Sequence, residues 1–175
     1  MTDQVRCAVL GLGRLGYFHA KHLAGEVRGA ELAAVCDPMK GKAEACAKEL
    51  GIAKWTESPY ELLEDHTIDA VIIVTPTSTH AEMIMKAAEN GKHIFVEKPL
   101  TLSLEESKEV MKKIEETGVI CQVGFMRRFD PAYADAKRRI DAGEIGRPIY
   151  YKGFTRDQGA PPAEFIKHSG GLFID

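Results

Sequence analysis

The tripeptide Glu97-Lys98-Pro99 follows the apolar run of residues 93–96 and places two charged side chains at the end of a predicted buried strand. In open parallel sheets, ligands bind just outside the carboxyl ends of the strands. Lys98 is therefore expected at the mouth of a ligand crevice, as an ammonium that can hold or move a proton. The alternative is a surface salt bridge that happens to follow a strand.

A glycine loop, Gly-Leu-Gly-Arg-Leu-Gly at residues 11–16, lies between the first predicted strand and the first predicted helix. Gly11 permits a tight turn, Gly13 lets the backbone approach a pyrophosphate, and Gly16 lets the helix pack close to the strand. The N–H groups and the positive dipole end at the start of that helix would bind the phosphates. The candidate cofactor-binding residues of the loop are Gly11, Leu12, Gly13, Arg14, Leu15 and Gly16.

Asp37 ends the second predicted strand, about 20 residues after the loop, where a carboxylate can accept hydrogen bonds from the adenosine ribose. Pro38 and Met39 follow it, with no arginine beside it. The 2′-phosphate of NADP would lie near the negative charge of Asp37 with little positive charge to compensate, so NAD is favoured over NADP. Lys40 and Lys42 make this preference moderate. The alternative is a turn-forming Asp-Pro pair that binds nothing.

Thr75, Pro76 and Thr77 follow the fourth predicted strand, and His80 lies in the first turn of the next helix. In the usual strand order the first and fourth strands are neighbours at the switch point, so these residues are expected to line the cofactor's path toward its reactive end. Because a helix N-terminus disfavours a cation, His80 is expected to be a neutral hydrogen-bonding group. A purely structural histidine is the alternative.

The elements that would position these groups alternate short apolar runs with longer helical patterns. The predicted strands span residues 5–10, 31–36, 70–74, 93–96 and 120–123, with a short edge strand at 54–55. Most are continuous apolar runs, as expected for strands covered on both faces. Helix starts are indicated at Ser58-Pro59, Thr77-Ser78-Thr79, Ser103-Leu104-Glu105-Glu106 and Asp130-Pro131. This alternation predicts an α/β fold, a doubly wound parallel sheet of the Rossmann type.

The predicted Rossmann dinucleotide-binding domain covers residues 1–124. Residues 125–175 contain one helical pattern, one predicted strand at about 148–154 and a stretch rich in glycine and proline. They are too few to form a separate core. We expect them to be the beginning of a second α/β domain, for substrate binding and oligomerisation, that is incomplete.

The composition is that of a soluble globular protein, with 175 residues, 45% hydrophobic and 28% charged, and a net charge of −3. No block of like charge points to nucleic acid or a membrane surface, and no signal peptide or membrane-spanning run is present. The four cysteines are scattered without a C-x-x-C pair. They favour a reduced cytoplasmic setting, with neither a disulfide frame nor a metal site.

Taken together, the glycine loop, Thr75-Pro76 with His80, and Glu97-Lys98-Pro99 resemble the glucose–fructose oxidoreductase / inositol dehydrogenase / rhizopine-catabolism oxidoreductase family. The resemblance continues through residues 124–129, 143–148 and 169–175, so it covers the whole chain. Within the family, Gly-Phe-Met-Arg-Arg-Phe and Gly-Gly-Leu-Phe-Ile-Asp look most like myo-inositol 2-dehydrogenases.

The resemblance implies an NAD(P)-dependent oxidation of a secondary alcohol of a cyclic polyol or sugar to a ketone, by a homo-oligomeric enzyme. The family's catalytic lysine corresponds to Lys98 and its catalytic aspartate to Asp175, and both would also bind substrate, while Glu97 and Lys98 would border the cofactor. A catalytic histidine is expected a few residues after Asp175, beyond the last residue of this chain. The chain is therefore expected to be an N-terminal fragment that binds NAD without turning over a polyol.

Arg127 is a further candidate substrate contact, because it follows the last predicted strand where the chain turns toward the second domain. A solvated arginine at a helix start is the alternative.

Three other functions remain open. One is a dehydrogenase of the same family that acts on another sugar or polyol. A methyltransferase also uses a glycine loop and an acidic residue, although it has no need of Glu97-Lys98-Pro99. The last is a non-catalytic NAD-binding module or redox sensor, against which the presence of Lys98 and Asp175 argues.

Overall fold

A computed structural model describes residues 4–154, 156, 159, 160, 163 and 166 of the chain. The chain divides into two compact units at Gly124 and Phe125. In the first unit, residues 4–124 are described; the second runs from Phe125 to Lys167.

The first unit is built on a parallel sheet of six strands in the order β3-β2-β1-β4-β5-β6. The strands are β1 (Val5–Leu10), β2 (Ala30–Cys36), β3 (Lys54–Thr56), β4 (Ala70–Ile73), β5 (His93–Glu97) and β6 (Cys121–Gly124). This order reverses between β1 and β4, which makes the carboxyl ends of those two strands the switch point of a doubly wound sheet. The predicted fold class is confirmed.

Helices connect the strands and cover both faces of the sheet. They are α1 (Arg14–Gly25), α2 (Lys42–Leu50), α3 (Pro59–Leu63), α4 (His80–Glu89) and α5 (Leu104–Thr117). One core layer lies between the sheet and α1 and α2, and includes Val9, Val35 and Ala47. The other lies under α3, α4 and α5, and includes Val71 and Ile84. Burial from two sides explains why the strands are continuous apolar runs.

The helix starts agree with the sequence signals only in part. Ser103 and Glu106 form the predicted capping box at α5, with the Ser103 hydroxyl accepting from Glu106 N at 3.1 Å. Ser58 occupies the N-cap of α3, but its side chain makes no capping bond, and its N–H donates to Thr56 Oγ1 at 3.0 Å. The expected cap at residues 77–79 forms a short 3₁₀ turn before α4, which begins at His80.

The second unit contains a 3₁₀ turn at Met126–Arg128 and the helix α6 (Pro131–Asp141). Asp130 caps α6 as predicted, because its Oδ1 accepts from Ala132 N at 3.0 Å. The prediction of a strand at 148–154 is wrong: these described residues have no regular secondary structure. Ile149, Tyr150, Tyr151 and Phe154 are 69–93% exposed, so their apolar side chains have no covering layer of the kind that stabilises a strand.

Among the described residues, no helix combines the length and the apolar composition needed to cross a lipid bilayer.

Candidate functional site

The glycine loop joins β1 to α1 at the switch point, and two of its glycines are fixed by packing. Gly11 has a φ of +89°, and a Cβ on it would lie 2.7 Å from the carbonyl oxygen of Val74. A Cβ on Gly16 would lie 1.9 Å from the carbonyl oxygen of Gly11. Both positions therefore require glycine: Gly11 because of its positive φ and the backbone of Val74 beside it, and Gly16 because the start of α1 lies directly against the loop.

Gly13 differs from these two, because a Cβ added there would have nothing within 4 Å. It is the N-cap of α1, where no side chain accepts from the first N–H groups and no first-turn residue is acidic. The described start of α1 is thus open to an anionic ligand, and its N–H groups and dipole suit a phosphate. Arg14 and Leu15 are exposed beside it.

Asp37, just after β2, connects the end of that strand to the glycine loop. Its Oδ2 accepts from Leu12 N at 2.8 Å and lies 2.9 Å from Lys42 Nζ, and its Oδ1 accepts from Met39 N at 3.0 Å. Burial raises the pKa of Asp37, which is only 6% exposed, but hydrogen bonds from Lys42 and two backbone amides outweigh that effect and lower the pKa below its usual value. The carboxylate is therefore ionised at neutral pH.

An open groove of about 400 Å³ adjoins the glycine loop between α1 and α2, and Gly13, Arg14 and Lys42 are among the residues that line it. A second hollow, of about 360 Å³, lies near Gln4 and Ala30 at the amino ends of β1 and β2. Parallel sheets bind ligands at the carboxyl ends of their strands. The groove beside the glycine loop is therefore the relevant one.

At the end of β4, hydrogen bonds from α4 and the turn before it fix the chain. The Thr79 hydroxyl oxygen lies 2.7 Å from Thr75 Oγ1 and 2.8 Å from Pro76 O. His80 is 1% exposed, with Nε2 3.0 Å from Thr75 O and Nδ1 2.9 Å from Pro99 O. Since carbonyl oxygens only accept, a neutral imidazole can donate one of these two bonds, whereas an imidazolium donates both.

The segment Glu97–Pro99, hereafter the lysine loop, ends β5. Glu97 Oε1 accepts from His19 Nε2 of α1 at 2.8 Å, and the His19 ring centroid lies 5.3 Å from that of Phe95. The peptide bond between Lys98 and Pro99 is cis. Lys98 is half-buried. A Cβ on Gly124 would lie 3.2 Å from Glu97 Oε1, so β6 also confines this carboxylate.

Two predicted residues lie outside the described part of the first unit, and their roles stay predictions. Arg127 belongs to the second unit, where its guanidinium lies 3.4 Å from Asp130 Oδ2 and 5.4 Å from the Tyr133 ring centroid. Those contacts fit the alternative of an arginine at a helix start. Asp175 lies outside the described residues, so its catalytic role stays a prediction.

The topology of the first unit thus brings the glycine loop, Asp37, Thr75-Pro76 and the lysine loop to the carboxyl edge of one sheet. Sequence reasoning missed His19, the partner of Glu97. One signal was available: His19 lies three residues after Gly16 and four before Leu23, at the helical spacing of the sheet-facing side of α1. Within the described residues, no cluster of three or more His, Cys, Asp or Glu side chains could hold a metal ion.

A parallel sheet with a tight glycine loop after its first strand and a buried carboxylate after its second defines a dinucleotide-binding protein of the Rossmann type. The sequence profile of the oxidoreductase family with an NAD-binding Rossmann fold matches residues 5–125. This chain belongs to that family, and the resemblance inferred from its motifs is confirmed.

Individual relatives agree with this assignment. All 175 residues align at 80% identity with 51% of the scyllo-inositol 2-dehydrogenase (NAD(+)) of Bacillus subtilis strain 168. The crystal structure of a probable dehydrogenase from Thermotoga maritima matches 97% of this chain and 51% of its own, with a TM-score of 0.90 and 35% identity. The scyllo-inositol dehydrogenase of Lactobacillus casei, solved with bound NAD(H) and scyllo-inositol, matches 82% of this chain and 42% of its own, with a TM-score of 0.79 and 36% identity. The chain spans about half the length of the curated relatives it matches.

Proposed function

We propose that this chain forms the cofactor-binding part of an NAD-dependent dehydrogenase that oxidises a secondary alcohol of an inositol, or of a related cyclic polyol, to a ketone. One observation carries the proposal: the whole chain matches a relative named scyllo-inositol 2-dehydrogenase (NAD(+)) at 80% identity. The geometry of the glycine loop and of Asp37 supports it, because both fit a dinucleotide.

The proposed cofactor contacts follow the order of the strands. The N–H groups at the start of α1 bind the pyrophosphate, and Gly13 leaves room for its approach. Asp37 accepts from the adenosine ribose and disfavours a 2′-phosphate through its charge. Lys42, 2.9 Å from that carboxylate, offsets part of the charge and makes the preference for NAD moderate.

Lys98 is the proposed catalytic residue of the described segment. A bound nicotinamide supplies the acceptor for the carbinol hydrogen and its electron pair. The Lys98 ammonium donates a hydrogen bond to the substrate oxygen and stabilises the negative charge that develops on it. On the family pattern, the hydroxyl proton passes to a histidine that follows Asp175, and Asp175 orients that ring.

Calorimetric titration of the folded chain with NAD and NADP tests cofactor binding. We expect NAD to bind at least about tenfold more tightly than NADP, a difference of about 1.4 kcal/mol. Asp37→Asn should narrow this preference, whereas Asp69→Asn, at the opposite edge of the sheet, should leave it unchanged. Folded protein, verified by circular dichroism, that binds neither dinucleotide would overturn the proposal.

Substrate oxidation is tested with a chimera in which the remaining half of the Bacillus subtilis relative follows residue 175. We expect NADH formation from scyllo-inositol or myo-inositol, and its loss in Lys98→Met. A chimera that binds NAD but oxidises none of a panel of inositols and sugars would instead support a non-catalytic NAD-binding module.

We also infer a reducing compartment such as the cytoplasm, because Cys7, Cys36, Cys46 and Cys121 are all free thiols. A homo-oligomer remains an expectation from the family, and size-exclusion chromatography with light scattering on the chimera tests it.

A further inference from the structure

We propose that His19 and His80 are positioning residues for Lys98, and that each fixes one of the two residues that flank it. The inference rests on the proposed function, since it assumes that the Lys98 ammonium is the group that must be placed. Neither histidine needs to touch the substrate for this role.

His19 fixes the residue before Lys98. Its Nε2–H donates to Glu97 Oε1 at 2.8 Å, and the two side chains are only 26% and 15% exposed. The imidazole packs against the Phe95 ring at an interplanar angle of 59°. On its other side the Glu97 carboxylate is confined by Gly124, where even a Cβ would come within 3.2 Å of Oε1. Glu97 is thereby held between α1 and β6.

His80 fixes the residue after Lys98. Its Nδ1 lies 2.9 Å from Pro99 O and its Nε2 lies 3.0 Å from Thr75 O, so a single ring joins the lysine loop to the end of β4. The imidazole is 1% exposed and has no room to adopt another orientation without disturbing the core around it.

The two histidines approach the lysine loop from opposite faces of the sheet. His19 is on α1, in the layer that contains Ala20, and His80 begins α4, in the layer that contains Ile84. A displacement of Lys98 toward either layer would therefore break one bracing contact. Such bracing matters because a misplacement of about 1 Å in a catalytic group can cost about 100-fold in rate.

Substitutions by side chains of similar shape can distinguish the positioning of Lys98 from a general contribution of the two histidines to folding stability. A glutamine amide can place its nitrogen where histidine has Nε2, and an asparagine amide where histidine has Nδ1. His19→Gln should therefore preserve the bond to Glu97, whereas His19→Leu removes it. His80→Asn should preserve the bond to Pro99, whereas His80→Gln preserves only the bond to Thr75. The matched control is His22→Leu, on the same helix as His19, whose side chain is 52% exposed.

The readout is Lys98 itself, observed in the folded 175-residue chain without any need for turnover. Lysines are reductively methylated with ¹³C-formaldehyde, and the Lys98 resonance is assigned by its absence in Lys98→Arg. We expect His19→Leu and His80→Gln to change the chemical shift of Lys98 and the midpoint of its pH titration. His19→Gln, His80→Asn and His22→Leu should leave both close to the wild-type values.

An unchanged Lys98 resonance in His19→Leu and His80→Gln overturns the proposal, and so does an equal change in His22→Leu. If the His80 variants fail to fold, the comparison of His19→Leu with His19→Gln decides alone, because His19 is partly exposed. In the chimera, His19→Leu should lower kcat by about 10- to 100-fold with the KM for NAD unchanged. Calorimetry on the same samples reports NAD binding, so a failure of the proposed function is recognised separately.

Discussion

Two alanine substitutions in the glycine loop separate its packing role from its proposed ligand role. In Gly16→Ala, the new Cβ would lie 1.9 Å from the carbonyl oxygen of Gly11, and real contacts of this type begin near 3.0 Å, so the two must move apart by at least 1.1 Å. The carbonyl of Gly11 is backbone and the position of the Cβ is fixed by the backbone of residue 16, so neither atom can rotate away as the end of a long side chain can. In Gly13→Ala, the new Cβ meets nothing within 4 Å.

The magnitudes follow from these distances. Overpacking typically costs about 1–3 kcal/mol, and the clash of Gly16→Ala with fixed backbone places this variant at the upper end, about 3 kcal/mol. For a chain of this size that corresponds to a fall in Tm of about 6–12 °C. Gly13→Ala should change the free energy of unfolding by less than about 1 kcal/mol, since the loss of a good N-cap opposes the gain from a less flexible unfolded chain. It should weaken NAD binding at least about tenfold, because the methyl group occupies the space of the pyrophosphate.

Urea unfolding followed by circular dichroism measures stability, and calorimetry measures NAD binding. Gly25→Ala, in the last position of α1 with nothing within 4 Å of its Cβ, is the control: it should leave NAD binding unchanged and raise the free energy of unfolding by no more than about 1 kcal/mol, because alanine favours the helix. The reasoning is refuted if Gly16→Ala is as stable as the wild type, or if Gly13→Ala binds NAD with wild-type affinity.

Three further outcomes are expected. Ser103→Ala should lower the free energy of unfolding by about 1 kcal/mol in urea titrations, because it removes the hydroxyl that accepts from Glu106 N; an unchanged midpoint contradicts this. Burial raises the pKa of Cys36 to about 12, so iodoacetamide should alkylate this thiol far more slowly in the folded chain than in urea at about pH 8, as measured by peptide mass spectrometry; equal rates contradict it. The hydrogen bond from Lys54 is the largest of the effects that lower the pKa of Asp65, so the ionised pair contributes stability above about pH 4 that is lost as the pH falls. Lys54→Met should therefore destabilise the chain more at about pH 6 than near pH 3, and equal losses at the two pH values would show that the pair contributes nothing.

The parallel sheet could be predicted because burial on both faces leaves a strong and local signal. Residues 70–73 and 94–96 are continuous apolar runs in the sequence, and the strands that contain them lie within one residue of the expected bounds and pair with each other in the sheet. The capping box at Ser103 was predictable for the same reason, since all its atoms lie within one turn of chain. At Thr79 the local signal misled, because its hydroxyl bonds back to Thr75 and Pro76 and makes no capping bond to α4.

Contacts between distant segments left no comparable signal. His19 and Glu97 are 78 residues apart, and only the folded structure shows that their side chains meet, with the His19 ring also against Phe95. The apolar residues at 148–154 predicted a strand because such a pattern is typical of a strand whose apolar side chains are covered by a neighbouring layer. The pattern itself does not show whether that layer is present. The described residues supply no such layer, and Ile149 is 93% exposed.

The bond between Asp37 and Leu12 N has a consequence for redesign of the cofactor preference. This one carboxylate is a ribose acceptor in the proposed site and also an anchor of the phosphate loop, at 2.8 Å. A replacement chosen to admit a 2′-phosphate withdraws that anchor at the same step and releases Lys42 from its partner. Substitutions at the ribose end and at the phosphate end of the site are therefore epistatic. Variants that lie between a preference for NAD and a preference for NADP would bind both dinucleotides weakly unless the glycine loop is first anchored by another residue.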